Sequence, residues 1–293
     1  MKILVIGDII FDKYTHVSTD RMSQESNFPI YDLGNIVEFR LGGAANVAAN
    51  VAALVPQGSI VHISGIVPKD ISAYSLITSS GVSAINCSFS DIKLEKHRFV
   101  NENKIVFRLD NKKHFNENEI NSFEKMFREY YEDDYDAVII SDYDKGTITE
   151  EVAKSICLGE SLVIVDSKRN DLRRFNGADV LNINNDECFR QHLHSDYIVE
   201  QLFNHILVTH GKHGSKLRSY YDEKYEEIHF TTEKVEAIDV TGCGDTHTAA
   251  FTVKMVESRN VTEAAIYATK CATLAVQKFG TSIISRKEAA EIV

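Results

Sequence analysis

"KILVIG" (Lys2–Gly7) is an apolar run closed by a glycine, with no polar residue alternating through it. A strand with one wet face would alternate, so this run predicts a strand buried on both faces, as in a parallel sheet. The signature recurs outward along the chain in "SIVHISG" (Ser59–Gly65), "DAVIIS" (Asp136–Ser141) and "SLVIVD" (Ser161–Asp166). It appears again in "ADVLNI" (Ala178–Ile183) and "HILVTHG" (His205–Gly211). Between these runs lie helical stretches: "GAANVAANVAALV" (Gly43–Val55), "NENEINSFEKMFREYYED" (Asn116–Asp133) and "TEEVAKSIC" (Thr149–Cys157). Such alternation predicts an α/β fold, a doubly wound and mostly parallel sheet with helices on both faces.

Two segments break the rhythm. "NFPIYDLGNIVEFRLGG" (Asn27–Gly43) and "INCSFSDIKLEKHRFVNENKIVFRLD" (Ile85–Asp110) are rich in β-branched and aromatic residues with partial alternation. They predict a small β-sheet lid over about residues 11–41 and 85–110, although edge strands of the main sheet fit the pattern equally. The 293 residues are read as one domain, 1–293, with no repeat or low-complexity linker.

Lys plus Arg is 32 against 43 for Asp plus Glu, a formal charge of −11. That balance argues against general nucleic-acid binding and against adhesion to an anionic membrane. Any anionic ligand must be held by local groups. The five cysteines are scattered without a C-x-x-C pair, which predicts reduced thiols and a cytoplasmic protein. A strand at the first residues leaves no room for a signal peptide, and no apolar run approaches a membrane span.

In a doubly wound sheet, ligands bind beyond the carboxyl ends of the strands. The first such end reads "GDIIFDKY" (Gly7–Tyr14), without the G-x-G-x-x-G of a dinucleotide site. Its Asp8 and Asp12 would repel a pyrophosphate but suit sugar hydroxyls; for Asp8 a turn cap is an equal alternative. "LGGAANVAAN" (Leu41–Asn50) offers Gly43 for close approach and Asn46 as donor and acceptor. No G-x-x-x-x-G-K-[ST] occurs, so phosphate must be handled by backbone amides. "DVTGCGDTHTAAF" (Asp239–Phe251) supplies them, since a glycine-rich turn opens a helix whose N-terminus favours an anion. A carboxylate there, Asp245, suits an enzyme that removes a proton beside a phosphate. The Cys243 thiol is read as space-filling rather than nucleophilic. Cys188, His192 and His194 have zinc-like spacing, but a solvated helix is the better reading.

Taken together, the motifs resemble the PfkB (ribokinase-like) carbohydrate kinase family. "DVTGCGDT" is similar to its C-terminal signature and "LGGAANVA" to its N-terminal one. "GDIIFDKY", "SDYDKG" (Ser141–Gly146), "VTHGKHG" (Val208–Gly214), Asn184 to Glu187 and "KFGTSIIS" (Lys278–Ser285) resemble a branch acting on D-glycero-β-D-manno-heptose 7-phosphate. The matches run from residue 3 to 285. The family's GAGD alanine is Cys243 here, D-P-K-G becomes "DSKR" (Asp166–Arg169), and the branch's proline-rich segment becomes "SQESNFP" (Ser23–Pro29).

The resemblance implies an ATP-dependent kinase of the anomeric hydroxyl of a heptose 7-phosphate, serving lipopolysaccharide inner-core synthesis. It implies Asp245 as an ordinary carboxylate base, with Gly242, Cys243 and Gly244 as anion hole. Asn184 and Glu187 would organise Mg²⁺ through water, and Thr209, Gly211 and Gly214 would shape the ATP site. Asp12, Gly43 and Asn46 would hold the sugar, and Lys168, Arg98 and Arg108 its phosphate. For the arginines a solvated strand face is an equal reading. Asp239, Thr241 and Ser285 would lie near a monovalent cation such as K⁺, and a homodimer would form through the lid. A kinase of another sugar or nucleoside, and a non-catalytic sensor on the same fold, stay open as alternatives.

Overall fold

The computed structural model describes residues 1–110, 113–190, 202–221 and 224–291. The chain begins with β1 (Lys2–Gly7), β2 (Ile9–Met22), β3 (Pro29–Gly43), α1 (Ala44–Leu54), β4 (Ile60–Ser64) and β5 (Ile66–Pro68). It continues through α2 (Ile71–Ser79), β6 (Ser83–Ala84), β7 (Ser88–Ser90), β8 (Glu95–Asn101), β9 (Lys104–Asp110) and α3 (Glu117–Tyr130). Next come β10 (Ala137–Asp142), α4 (Glu150–Cys157), β11 (Leu162–Ser167), β12 (Val180–Asn184), α5 (Asn185–Arg190) and β13 (His205–Thr209). The last elements are β14 (Ser215–Tyr221), β15 (Lys224–Phe230), α6 (Cys243–Ser258), α7 (Val261–Ala275) and α8 (Arg286–Ala290).

Nine strands form the main sheet in the order β15-β14-β13-β12-β11-β10-β1-β4-β6. From β13 to β6 every neighbouring pair is parallel, and β14 and β15 add an antiparallel edge. β1 is central, with Ile6 level with Ile140 of β10 on one side and Ser64 of β4 on the other. Ile3, Leu4, Val5 and Ile6 are all buried, as an unbroken apolar strand requires. The chain leaves β1 in both directions across the sheet, so the ends of β1 and β10 flank the crevice where such folds bind ligands.

Helices cover both faces. α1 is built of Ala, Val and Asn with one Leu, and these small side chains let it lie against β1 and α6. α6 buries Phe251 completely; cutting that ring to alanine costs about 3–5 kcal/mol. α3 starts in a capping box, in which Asn116 accepts from the Glu119 N–H and Glu119 accepts from the Asn116 N–H, both at 3.0 Å.

The accessory strands form a separate four-stranded sheet, β3-β2-β8-β9, rather than edges of the main one. The lid is smaller than expected at its second segment. Ser88–Ser90 instead pair with Ile66–Pro68 in a two-stranded sheet beyond β4, so only residues 95–110 of that segment join the lid. The β14–β15 hairpin was not read from the sequence at all, because its polar alternation lacks the apolar run that marks the parallel strands.

The five cysteines form no disulfide among the described residues. Cys188 is buried on the inner side of α5, whose Asn185, Asp186, Phe189 and Arg190 are exposed; His192 and His194 lie outside the described residues. Among the described residues no helix is long and apolar enough to cross a membrane.

Candidate active site

The site grows from the end of β1. Asp8 is fully buried and accepts from the backbone N–H groups of Tyr143 (2.8 Å), Lys145 (3.0 Å) and Thr147 (3.3 Å). Burial, with the charge of Asp142 beside it, pushes its carboxyl up to about 6. With its oxygens committed to the loop after β10, Asp8 acts as the turn cap and not as a sugar ligand. The loop it clamps carries Tyr143, whose hydroxyl donates to Oδ1 of Asp245 at 2.9 Å.

Asp245 sits in the first turn of α6, and the Asn46 amide donates to its other oxygen at 2.7 Å. A carboxylate with two oxygens keeps lone pairs after two such bonds, so a third donor can still approach. The expectation of an ordinary carboxyl is corrected: burial pushes Asp245 up to about 6, with Asn46 opposing and the Asp166 charge adding to the rise. Asn46 is placed on Asp245, which differs from its expected place as a sugar ligand.

Gly242 turns the chain into α6 in the left-handed region, φ 77°. A Cβ there would lie 2.8 Å from the Asn46 amide nitrogen, so only glycine lets Asp245 and that amide meet. Of the three expected anion-hole amides, that of Cys243 is turned inward, donating to the Val240 carbonyl at 3.3 Å. Gly244 borders open space, with no atom within 4 Å of a Cβ built on it. Burial pushes the Cys243 thiol up to about 12, which keeps it protonated and rules out a thiolate nucleophile at neutral pH.

Beyond α6 lies a polar cluster. Asn184 and Glu187 bond reciprocally, each side chain accepting from the other's N–H at 2.9 Å. The second Glu187 oxygen pairs with the Lys168 ammonium at 2.9 Å, and Asp166 holds the same ammonium at 2.7 Å. Lys168 was expected to take a sugar phosphate; instead it neutralises two carboxylates. Its burial would lower its pKa, but Asp166 and Glu187 outweigh that and raise it. A cavity of about 310 Å³ opens beside this cluster, lined by Asn184, Asp186, Thr209, Gly211 and His213 among others. Gly214 is not in its wall; its carbonyl accepts from the His210 N–H at 2.8 Å and closes the turn between β13 and β14.

The remaining expected residues divide. Asp12 and Arg98 are both buried and paired at 2.6 Å, so Arg98 is not on a solvated face. Removing either partner of such a pair costs about 3–5 kcal/mol. Arg108 is exposed and pairs with Asp110 at 2.7 Å. Gly43 packs at the junction where the Ala44 N–H meets the Asp8 carbonyl, 3.0 Å. Asp239 accepts from the Thr241 N–H (2.9 Å) and hydroxyl (2.8 Å) and from the Gly280 N–H (3.0 Å). Ser285 is engaged elsewhere, capping α8 through Glu288.

Tyr143 and Asp166 were missed as site residues, though both stand inside stretches quoted above. The signal was positional: each lies at or just beyond the carboxyl end of a parallel strand next to β1 or one strand further, where ligands bind.

A carboxylate poised at a helix N-terminus beside a polar cavity suits phosphoryl transfer to a hydroxyl. The chain belongs to the pfkB family carbohydrate kinases, whose family model matches residues 2–288. It is 33% identical over 311 residues to the bifunctional protein HldE of Shewanella sediminis, covering 98% of this chain and 62% of that protein. The HldE of Histophilus somni is 32% identical, with the same coverage on both sides. The chain thus spans under two thirds of these relatives' length. Phosphofructokinase-2 from Escherichia coli in complex with potassium shares the fold, with TM-score 0.79, 16% identity and coverage of 99% and 97%. So does Arabidopsis thaliana ribokinase complexed with ribose and ATP, with TM-score 0.70, 20% identity and the same coverage.

Proposed function

We propose that this kinase transfers the γ-phosphoryl group of ATP to the anomeric hydroxyl of D-glycero-D-manno-heptose 7-phosphate, in the cytoplasm and toward lipopolysaccharide inner-core synthesis. The chemistry rests on one observation: a buried Asp245 held by Asn46 and Tyr143 with lone pairs to spare. The choice of sugar is supported by the heptose-branch motifs and by the likeness to HldE across 98% of this chain.

The acceptor hydroxyl gives its proton to Asp245 as its oxygen attacks phosphorus. Negative charge on the transferring group is met by the N–H groups at the start of α6, where Gly244 leaves room. The cavity beside Thr209 and Gly211 takes the nucleotide. Asp166, Asn184 and Glu187 fit Mg²⁺ held through water: their oxygens are hard donors, and both Glu187 oxygens already accept hydrogen bonds or ion pairs. That ion would neutralise phosphate charge. Among the described residues no three carboxylate, histidine or cysteine side chains form a cage of their own. Asp239 and Thr241 are the residues to which K⁺ is assigned; Ser285, spent on its helix cap, is dropped from that set.

The lid carries exposed apolar side chains on its edge strands, Leu33, Ile36 and Val37 of β3 and Leu109 of β9, and a second copy of this chain would cover them. The test of the activity is ADP release with ribose, fructose and D-glycero-D-manno-heptose 7-phosphate, each sugar with and without its terminal phosphate. Turnover confined to the heptose phosphate supports the reading. Turnover on an unphosphorylated sugar keeps Asp245 as base and discards the heptose.

A further inference from the structure

We propose that Lys96 binds the phosphate that the sugar already carries, and so sets the preference for a phosphorylated acceptor. This rests on the sugar phosphate reading above and adds a residue to it.

The argument begins with the cations near Asp245. Lys168 is fixed between Asp166 and Glu187, Arg98 bonds Asp12, and Arg108 pairs with Asp110. Each of them is already held by a carboxylate. Lys96 has no carboxylate at ion-pair distance among the described residues. Its ammonium stands 4.6 Å from the ring centre of Tyr143, the residue that donates to the base. Lys96 therefore lies one side chain away from the reacting centre, on the lid.

The strand register explains why the lid is positive there. In β8, Lys96 is level with Asp12 of β2 and Asp110 of β9, and Arg98 is level with Arg108. Residues two apart share a face of a strand, so these five project from the same face. On β2, β8 and β9 three cations thus meet two carboxylates, and the charge of Asp245 on α6 also acts on Lys96. Burial lowers the Lys96 pKa, with the charges of Asp12 and Asp245 opposing and those of Arg98 and Arg108 adding to the fall. An ammonium partly stripped of water, with a ring beside it and no carboxylate at ion-pair distance, gains from a phosphate, which supplies charge and acceptor oxygens together.

Two measurements on the full chain test this. In steady-state kinetics, Lys96→Met should raise KM for the phosphorylated sugar about tenfold or more and leave kcat within about threefold, the loss of one hydrogen bond to a charged group. Lys96→Arg should recover most of the affinity. In the wild type, acetylation of Lys96 by acetic anhydride, read by peptide mass spectrometry, should be suppressed by phosphorylated sugars but not by their unphosphorylated counterparts or by ATP. Suppression by ATP alone, or a fall in kcat on every acceptor at unchanged KM, would put Lys96 on the transferred group and overturn the proposal. Turnover of the heptose phosphate with an unchanged KM in Lys96→Met would sink Lys96 and spare the substrate. Shielding of Lys96 by sugar phosphates other than the heptose, with no heptose turnover, would keep Lys96 and sink the heptose.

Discussion

Tyr143 and Asp245 lie 102 residues apart in the chain, yet the phenol donates to the carboxylate at 2.9 Å because Asp8 clamps the loop between them. The bond favours the ionised form of Asp245, so its loss has a defined sign. Tyr143→Phe should raise the Asp245 pKa further, by about one unit or more, and shift the acid limb of kcat/KM to higher pH. A pH–rate profile of the two proteins checks this. An unmoved limb would mean that the phenol does not control the base.

The wild-type profile carries its own prediction. Asp245 is pushed up to about 6 by burial, and only its ionised form accepts the hydroxyl proton. Above that pH the base is ready; below it, kcat/KM should fall about tenfold per unit. A carboxyl of ordinary pKa would hold activity down to ~4, so a profile flat through pH 5 would contradict the burial argument.

Asp245→Asn keeps the shape of the side chain and removes its basicity. Turnover should fall about 10²–10⁴-fold while the affinity for ATP, measured by calorimetry, stays within a few-fold of wild type. Near-normal turnover would place the base elsewhere.

How legible the site was depends on what held each residue. The parallel strands were plain, since burial on both faces leaves an unbroken apolar run such as Lys2–Gly7. The place of Asp245 in the first turn of α6 was plain too, being marked by local backbone demands: glycines and a helix start within a few residues. The duties of Asp8, Arg98 and Lys168 were not. Each depends on a partner set by the pairing of distant strands: Asp8 on the loop after β10, Arg98 on Asp12 across β2–β8, Lys168 on Glu187 after β12. Sequence shows that a charge is present, and only tertiary register shows whether it is already spent.

The exposed lid residues predict association. If a second copy covers Leu33 and Leu109, then Leu33→Asp with Leu109→Asp should convert a dimer to a monomer in sedimentation velocity without lowering the thermal midpoint of the monomer fold. A wild type that sediments as a monomer at micromolar concentration would rule out the lid dimer.

Two glycines separated by a single residue should both matter for turnover but differ in their effect on stability. At Gly242 the backbone is left-handed, which costs an alanine about 1–2 kcal/mol, and the new methyl would press on the Asn46 amide at 2.8 Å. Gly242→Ala should therefore lower both the thermal midpoint and turnover, because Asn46 can no longer hold Asp245. At Gly244 the backbone is already in the helix, where alanine gains up to about 1 kcal/mol over glycine, and the methyl enters open space. That space is where the proposed phosphoryl group would lie. Gly244→Ala should hold or raise the thermal midpoint while turnover falls at least about tenfold. Thermal melts and ADP-release rates of the two variants decide the point. Full activity in Gly244→Ala would remove the start of α6 from the path of the phosphoryl group, since a methyl and an anion cannot share that volume.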